Sequence, residues 1–216
     1  MQLLGICGLI DSGKTTAANT LHKEFGFTPI SFADPLKDIV AHLFGWDRQM
    51  IEGATPEARE LRNKVDQEWS EALGIRNLTP RLMLQQWGTD VVRNGFHPNF
   101  WIEVLKHRIR HGKLGNAIVV SDVRYPNEIE AIRKLGGRVI RIQRRELPPW
   151  VPLIKQHRSS QSDDSFDLEE IKANVSQQIS LPHTSEWASW LVDVPILWNN
   201  GSLEDFRVAI HELIDC

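Results

Sequence analysis

Five short apolar runs punctuate this chain, and between them apolar positions recur at helical intervals. The runs span 3–7, 29–32, 117–121, 139–142 and 191–197. Runs 117–121 and 139–142 are β-branched and nearly all apolar, as in strands buried on both faces of a parallel sheet. The fifth contains Pro195, which fits a sheet edge or a boundary set too early. After the first run, Ala17, Ala18, Leu21 and Phe25 share one face of a helix over 15–25. Thr55-Pro56 and Thr79-Pro80 each supply an N-cap followed by proline at the first helical position. They open helices to about 73, stopped by Gly74, and to about 94. Further helices are expected over 98–111, 126–135, 168–179 and, from the capping pattern Ser202-Leu203-Glu204-Asp205, to 214. The order is β, α, β, several helices, β, α, β, an insertion, β, α. It predicts an α/β fold, a five-stranded parallel sheet wrapped by helices on both faces.

Composition narrows this little. The 216 residues are 41% hydrophobic and 25% charged, which suits one α/β domain over 1–216 carrying insertions. A net charge of −3 points to neither nucleic acid nor a membrane surface as partner. The charge is unevenly spread: 106–158 carries a local +9, leaving −12 elsewhere. A basic middle in an acidic chain suits a polyphosphate ligand, although Lys106, Arg108, Arg110 and Lys113 read as a solvated helix face. Cys7 and Cys216 are too few for a disulfide framework. No run of 18 apolar residues or leader pattern is visible, so the expected location is cytoplasmic.

The chemistry concentrates at Gly8-Leu9-Ile10-Asp11-Ser12-Gly13-Lys14-Thr15, the complete phosphate-loop pattern G-x-x-x-x-G-K-[ST]. It follows a strand and opens a helix, as that motif requires. Glycines let successive N–H groups turn inward on phosphate oxygens, and the helix adds its positive dipole end. Lys14 is expected to reach the β- and γ-phosphates of ATP, and the Thr15 hydroxyl to hold Mg²⁺. Asp122 and Arg124 follow the third run, where ligands bind in such sheets: Asp122 suits Mg²⁺, Arg124 a phosphate. Arg144 and Arg145 follow the fourth run and are candidates for stabilising transferred charge. On the helix to 94, Gln85, Trp87, Gly88 and Arg93 suit a base edge, a stacked ring and a phosphate. Two matches are rejected. Asn63-Lys64-Val65-Asp66 has the guanine-reading pattern but lies in a helical stretch, and His107/His111 lack the glutamate and third ligand of a zinc pair.

Taken together, these motifs resemble the phage-type deoxynucleoside monophosphate kinases. The resemblance rests on Gly8 to Thr15, Ser31-Phe32-Ala33-Asp34-Pro35-Leu36-Lys37, Gln86-Trp87-Gly88-Thr89-Asp90, Ser121-Asp122-Val123-Arg124-Tyr125-Pro126-Asn127-Glu128, His183-Thr184-Ser185-Glu186 and Asn199-Asn200-Gly201-Ser202. It implies a P-loop kinase fold with a helical monophosphate-binding insertion over 46–112 and a lid-like insertion over 144–186. It implies transfer of the ATP γ-phosphate to a deoxynucleoside 5′-monophosphate, with dGMP or dTMP favoured over dCMP. Gly8 through Thr16 would cradle ATP, with Asn199 and Asn200 near its adenine. Asp34, Lys37, Gln85, Trp87, Gly88, Arg93 and Arg124 would line the acceptor site. The stretch between Arg145 and His183 is longer than in the family, which leaves the lid arginine open among Arg144, Arg145 and Arg158.

The expected partners are small nucleotides, with a homodimer left open. The acceptor's own phosphate oxygen is the nucleophile, so no strong base is required. An alternative is a P-loop kinase of gluconate, phosphomevalonate or dephospho-coenzyme A type. A nucleotide-dependent switch or packaging-type ATPase lacks support, since no D-x-x-G follows a strand. The stretch 146–182 is expected to close over bound ATP and exclude water, with proteolysis near 159–165 in the free protein.

Overall fold

The computed structural model describes residues 1–144, 146–158 and 166–215. The chain divides into two compact units, Met1–Ser31 with Arg108–Cys216, and Phe32–His107.

In the first unit, β1 (Gln2–Cys7), β2 (Thr28–Ile30), β3 (Ala117–Val120), β4 (Arg138–Gln143) and β5 (Ile196–Trp198) form one sheet in the order β2-β3-β1-β4-β5. All four pairings are parallel. Alternation along the strands supplies two apolar faces. Leu4 and Ile6, with Val119, Ile140 and Ile142, pack against Ala17, Ala18 and Leu21 of α1 (Lys14–Phe25). Phe206 and Ile210 of the last helix close the same face. On the other face Gly5 meets Val123, Val139 and Ile132, the last on the helix over 126–134. Each fully buried aliphatic side chain contributes about 1.5–3 kcal/mol.

The second unit is helical: α2 (Asp34–Phe44), α3 (Arg48–Glu52), α4 (Pro56–Asn63), α5 (Gln67–Leu73) and α6 (Pro80–Gln85), the last continued by a π-helix over Gln86–Asn94. α7 (Phe100–His111) leads back to the sheet. α8 (Pro126–Lys134) lies between β3 and β4, and α9 (Trp150–Arg158), α10 (Leu168–Ser176) and α11 (Thr184–Trp187) between β4 and β5. α12 (Leu203–Asp215) closes the chain. Among the described residues no helix is long and apolar enough to cross a membrane.

Three sequence expectations change, and one helix is added. The helix expected from 56 to 73 is two: Lys64 is extended, and Asp66 starts α5 by accepting from Trp69 N at 3.0 Å. Asp66 is held there by Trp46 Nε1 at 2.7 Å and by its own N–H on Leu78 O. The second strand stops at Ile30, because Ser121 N takes the Ile30 carbonyl and α2 begins at Asp34. The fifth strand starts at Ile196 rather than 191. Trp187, Trp190 and Leu191 are spaced for one helical face and are buried there, with a 3₁₀ turn over Ala188–Leu191. Finally, α9 forms across Pro152, which sits in its first turn where no N–H is required.

The segment between β4 and β5 buries its own core. Trp150, Val151 and Ile154 of α9 pack with Ile171 and Val175 of α10, Trp187, Trp190, Leu191 and Tyr125. Arg145 and the expected cleavage stretch 159–165 lie outside the described residues.

Candidate active site

The loop after β1 has the geometry its sequence requires. Gly8 and Gly13 stand at φ 142° and 107°, and Asp11 at φ 60°. A side chain at Gly13 would also run into the Asn199 amide. Gly13 is the N-cap of α1, and its carbonyl accepts from Ala17 N at 2.9 Å. Lys14 curls back over the loop, and its Nζ donates to Gly8 O at 2.8 Å and Leu9 O at 2.6 Å. Thr15 is exposed on the first turn of α1, Thr16 half-buried beside it, and Ile10 exposed at the loop tip. The Ser12 hydroxyl is buried without a hydrogen-bond partner.

The neighbouring strand ends bring further groups to this loop. Val123 N donates to Ile6 O and Ser121 N to Ile30 O, which fixes Asp122 at the carboxyl edge beside the end of β1. Arg124 follows, its N–H and that of Tyr125 donating to the buried Glu128 carboxylate at 2.8 and 3.2 Å. The Arg124 guanidinium pairs with Glu186 at 3.1 Å and reaches Ser185 O at 3.3 Å. His183 Nδ1 accepts from Ser185 N at 3.3 Å, shaping the turn that presents Glu186. Burial lowers the Lys14 ammonium to about 8; Arg124 pushes the same way, while Glu186, Cys7 and Asp11 oppose. Lys14, Arg124 and Glu186 therefore share one electrostatic environment.

Asn199, expected near the adenine, is set against the loop itself. Its side-chain amide donates to Ser12 O at 2.8 Å, and its N–H to Gln143 O at 2.9 Å. It ties the loop to the ends of β4 and β5. Asn200 is the next residue, and Arg144 is exposed one step beyond β4. Glu128 and Glu186 were not among the expected site residues. Glu128 had a local signal, an acid three places after a helix N-cap; Glu186 stood in a motif of the resemblance, but its pairing with Arg124 spans 62 residues and had no signal along the chain.

In the second unit Asp34 and Lys37 lie on the first turn of α2. Lys37 Nζ is 2.8 Å from Glu52 Oε1, and Arg48 bridges Glu52 at 2.7 Å and Asp38 at 2.6 Å, with Asp34 at 3.9 Å. Gln85 ends α6; Trp87, Gly88 and Arg93 lie on the π-helix. Gly88 has Leu36 so close that a methyl group would overlap it, and its carbonyl accepts from Trp101 Nε1 at 2.9 Å. Trp87 meets Phe44 edge-on at 6.2 Å. Arg93 is buried, with Nη1 on Pro98 O at 3.1 Å. π-Helical turns concentrate at functional sites. Asp66, from the rejected guanine pattern, is a helix cap.

A family model described as deoxynucleotide monophosphate kinase matches residues 50–151. A protein of Acanthamoeba polyphaga mimivirus, provisionally assigned as a deoxynucleotide monophosphate kinase, is 37% identical over 226 residues, covering 100% of this chain and 97% of its own. The chain belongs to the deoxynucleotide monophosphate kinase family. It is a P-loop kinase, and the loop described above carries the sequence pattern that gives such kinases their name. Among solved structures, a dephospho-CoA kinase from Campylobacter jejuni aligns with this kinase at 22% identity and a TM-score of 0.43, over 100% of this chain and 96% of that one. A gluconokinase from Sinorhizobium meliloti 1021 aligns at 11% identity and a TM-score of 0.38, over 99% and 94%.

Proposed function

We propose that this kinase transfers the γ-phosphoryl group of ATP to a deoxynucleoside 5′-monophosphate, giving the diphosphate. The observation that carries this is the Gly8–Lys14 loop, pre-shaped for a polyphosphate in a chain of this family. The residues fit the substrate: two glycines in left-handed backbone, a lysine already folded over the loop and a buried Ser12 hydroxyl without a partner. They also fit Mg²⁺, since the Thr15 hydroxyl and Asp122 carboxylate are the hard oxygen donors that leave its other positions to phosphate and water. Bound there, Mg²⁺ would offset the charge on the phosphates.

Catalysis in this proposal is placement plus charge neutralisation. The loop N–H groups from Gly8 to Thr16 hold the β- and γ-phosphates, and Lys14 exchanges its two carbonyl partners for phosphate oxygens. Arg124, with Arg144 or Arg145, offsets the charge that spreads over the transferred group. The acceptor's phosphate oxygen attacks phosphorus in line as the bond to the ADP oxygen breaks; no proton need leave the nucleophile. Asp34, Lys37, Arg93, Gln85, Trp87 and Gly88 are proposed to bind the acceptor, its base stacked on Trp87 and its edge read by Gln85. The 46–112 and 144–186 segments are proposed as the acceptor-binding insertion and the lid.

A coupled ADP-release assay with ATP, Mg²⁺ and a panel of acceptors tests the assignment. The panel holds dGMP, dTMP, dCMP, dAMP, gluconate, phosphomevalonate and dephospho-coenzyme A. Turnover confined to deoxynucleotides, with dGMP or dTMP ahead of dCMP, is the expected result. Turnover only with a non-nucleotide acceptor would overturn it.

A further inference from the structure

β4 carries a buried cation, and among the described residues the packing provides it no anion. Arg141 is 1% exposed, and its Cα pairs in the ladder with Cys7, the residue before Gly8. Its Nη2 donates to Ser189 O at 2.6 Å and Val192 O at 3.3 Å. The guanidinium lies 4.1 Å from the centre of the Trp190 ring, and the Cys7 thiol is beside it. Its Nε is buried with no partner. Among the described residues these partners are all neutral: two carbonyls, an indole face and a thiol. Burial pushes the Cys7 thiol up, so it keeps its proton. Burial also draws Arg141 down from the ordinary guanidinium range, yet a guanidinium remains protonated in a protein.

An interior charge without a counter-ion is costly, and a hydrophobic side chain of similar volume would avoid that cost. The position is not random. Arg141 pairs in the ladder with Cys7, and Lys14 Nζ holds the carbonyls of Gly8 and Leu9, the two residues that follow, so the buried cation and the loop cation stand at the same end of β1. We propose that Arg141 is a positioning residue for polyphosphate, its unneutralised charge fixed beside the start of the phosphate loop and felt by the phosphates bound there. The inference rests on the assignment of the loop as the ATP site. The field of a charge in a low-dielectric interior is weakly screened, so it reaches a ligand it does not touch. Its pull scales with the number of charges on the ligand.

The test compares wild type with Arg141→Met, which keeps an unbranched apolar stem, and Arg141→Lys, which keeps the charge. Dissociation constants are measured by calorimetry for ATP, ADP, AMP, adenosine and inorganic tripolyphosphate, with a melting curve for each free protein. Expected for Arg141→Met is a melting temperature equal to or above wild type. Its affinity for ATP and tripolyphosphate should fall about tenfold to a hundredfold, with smaller losses for ADP and AMP and none for adenosine. Arg141→Lys should keep most of the ATP affinity. An equal loss across all five ligands with a lowered melting temperature would make Arg141 a structural pin and overturn the proposal. So would unchanged affinities, or failure of both variants to fold. Wild type that binds tripolyphosphate but not ATP would overturn the ATP assignment alone and leave the Arg141 comparison to be read on tripolyphosphate. Wild type that binds neither would overturn both.

Discussion

Lys14 is held by two backbone carbonyls, and burial lowers its ammonium to about 8. Lys14→Ala should leave the melting curve close to wild type and cut turnover by about a thousandfold. The coupled assay beside circular dichroism reads both. The pH dependence follows from the sign of the shift. Below pH 8 the lysine is charged whether folded or unfolded, and the folded state bears the cost of burying that charge. Between about 8 and the unfolded value of 10.5 the unfolded chain binds more protons, so stability rises across that window. Bound phosphate favours the charged form, so ATP binding above pH 8 must take up a proton and weaken as pH climbs. Calorimetry at pH 9 in two buffers of different ionisation enthalpy should show uptake of about half a proton or more. Asn199 gives a second test. Its amide holds Ser12 O at 2.8 Å in a buried position. Asn199→Ala should cost about 1–2 kcal/mol in a denaturant titration and raise KM for ATP and GTP alike. Loss of ATP selectivity alone would instead show contact with adenine.

The π-helix over Gln86–Asn94 carries three of the expected acceptor residues and is braced from α7 by the Trp101 indole on Gly88 O. Trp101→Phe keeps the ring but removes the donor. It should cost about 1 kcal/mol and raise the acceptor KM several-fold while the ATP KM stays constant. A changed ATP KM with an unchanged acceptor KM would remove this segment from the acceptor site. The brace was invisible along the chain, because widening a helix by one residue per turn depends on what takes the released carbonyl. α9 and α10 show the same dependence. Their apolar residues bury only because Tyr125, Trp187 and Trp190 complete a shared core.

The chain divides into a sheet unit that holds the Gly8–Thr15 loop and a helical unit that holds the expected acceptor residues other than Arg124. Ligands that each engage one unit should therefore protect different amides. In hydrogen exchange, ATP alone should slow residues 8–25, and the accepted deoxynucleotide alone should slow 80–94. Protection of 80–94 by ATP alone would contradict the division of labour. Saturation at a hundred times Kd should add about 2.7 kcal/mol to stability, read as a rise in melting temperature for each ligand.

The sheet and the loop were legible because their signals are local. Apolar runs marked all five strands, four within about two residues of their place, and G-x-x-x-x-G-K-[ST] announced the left-handed Gly8 and Gly13 and the position of Lys14. The caps Thr55, Thr79 and Ser202 bond where their neighbours predicted, since capping is complete within four residues. Other features depended on partners far along the chain. Lys64 interrupts a helix because Asp66 answers to Trp46 and Leu78. Arg124 meets Glu186 across 62 residues, and Asn199 grips the loop across 187. Arg141 read as one strand residue in a basic stretch until packing set it against Cys7 and Trp190, with no carboxylate beside it among the described residues. Periodicity records how a segment can bury its own face, whereas ion pairs, braces and stranded charges depend on which segments the sheet brings side by side.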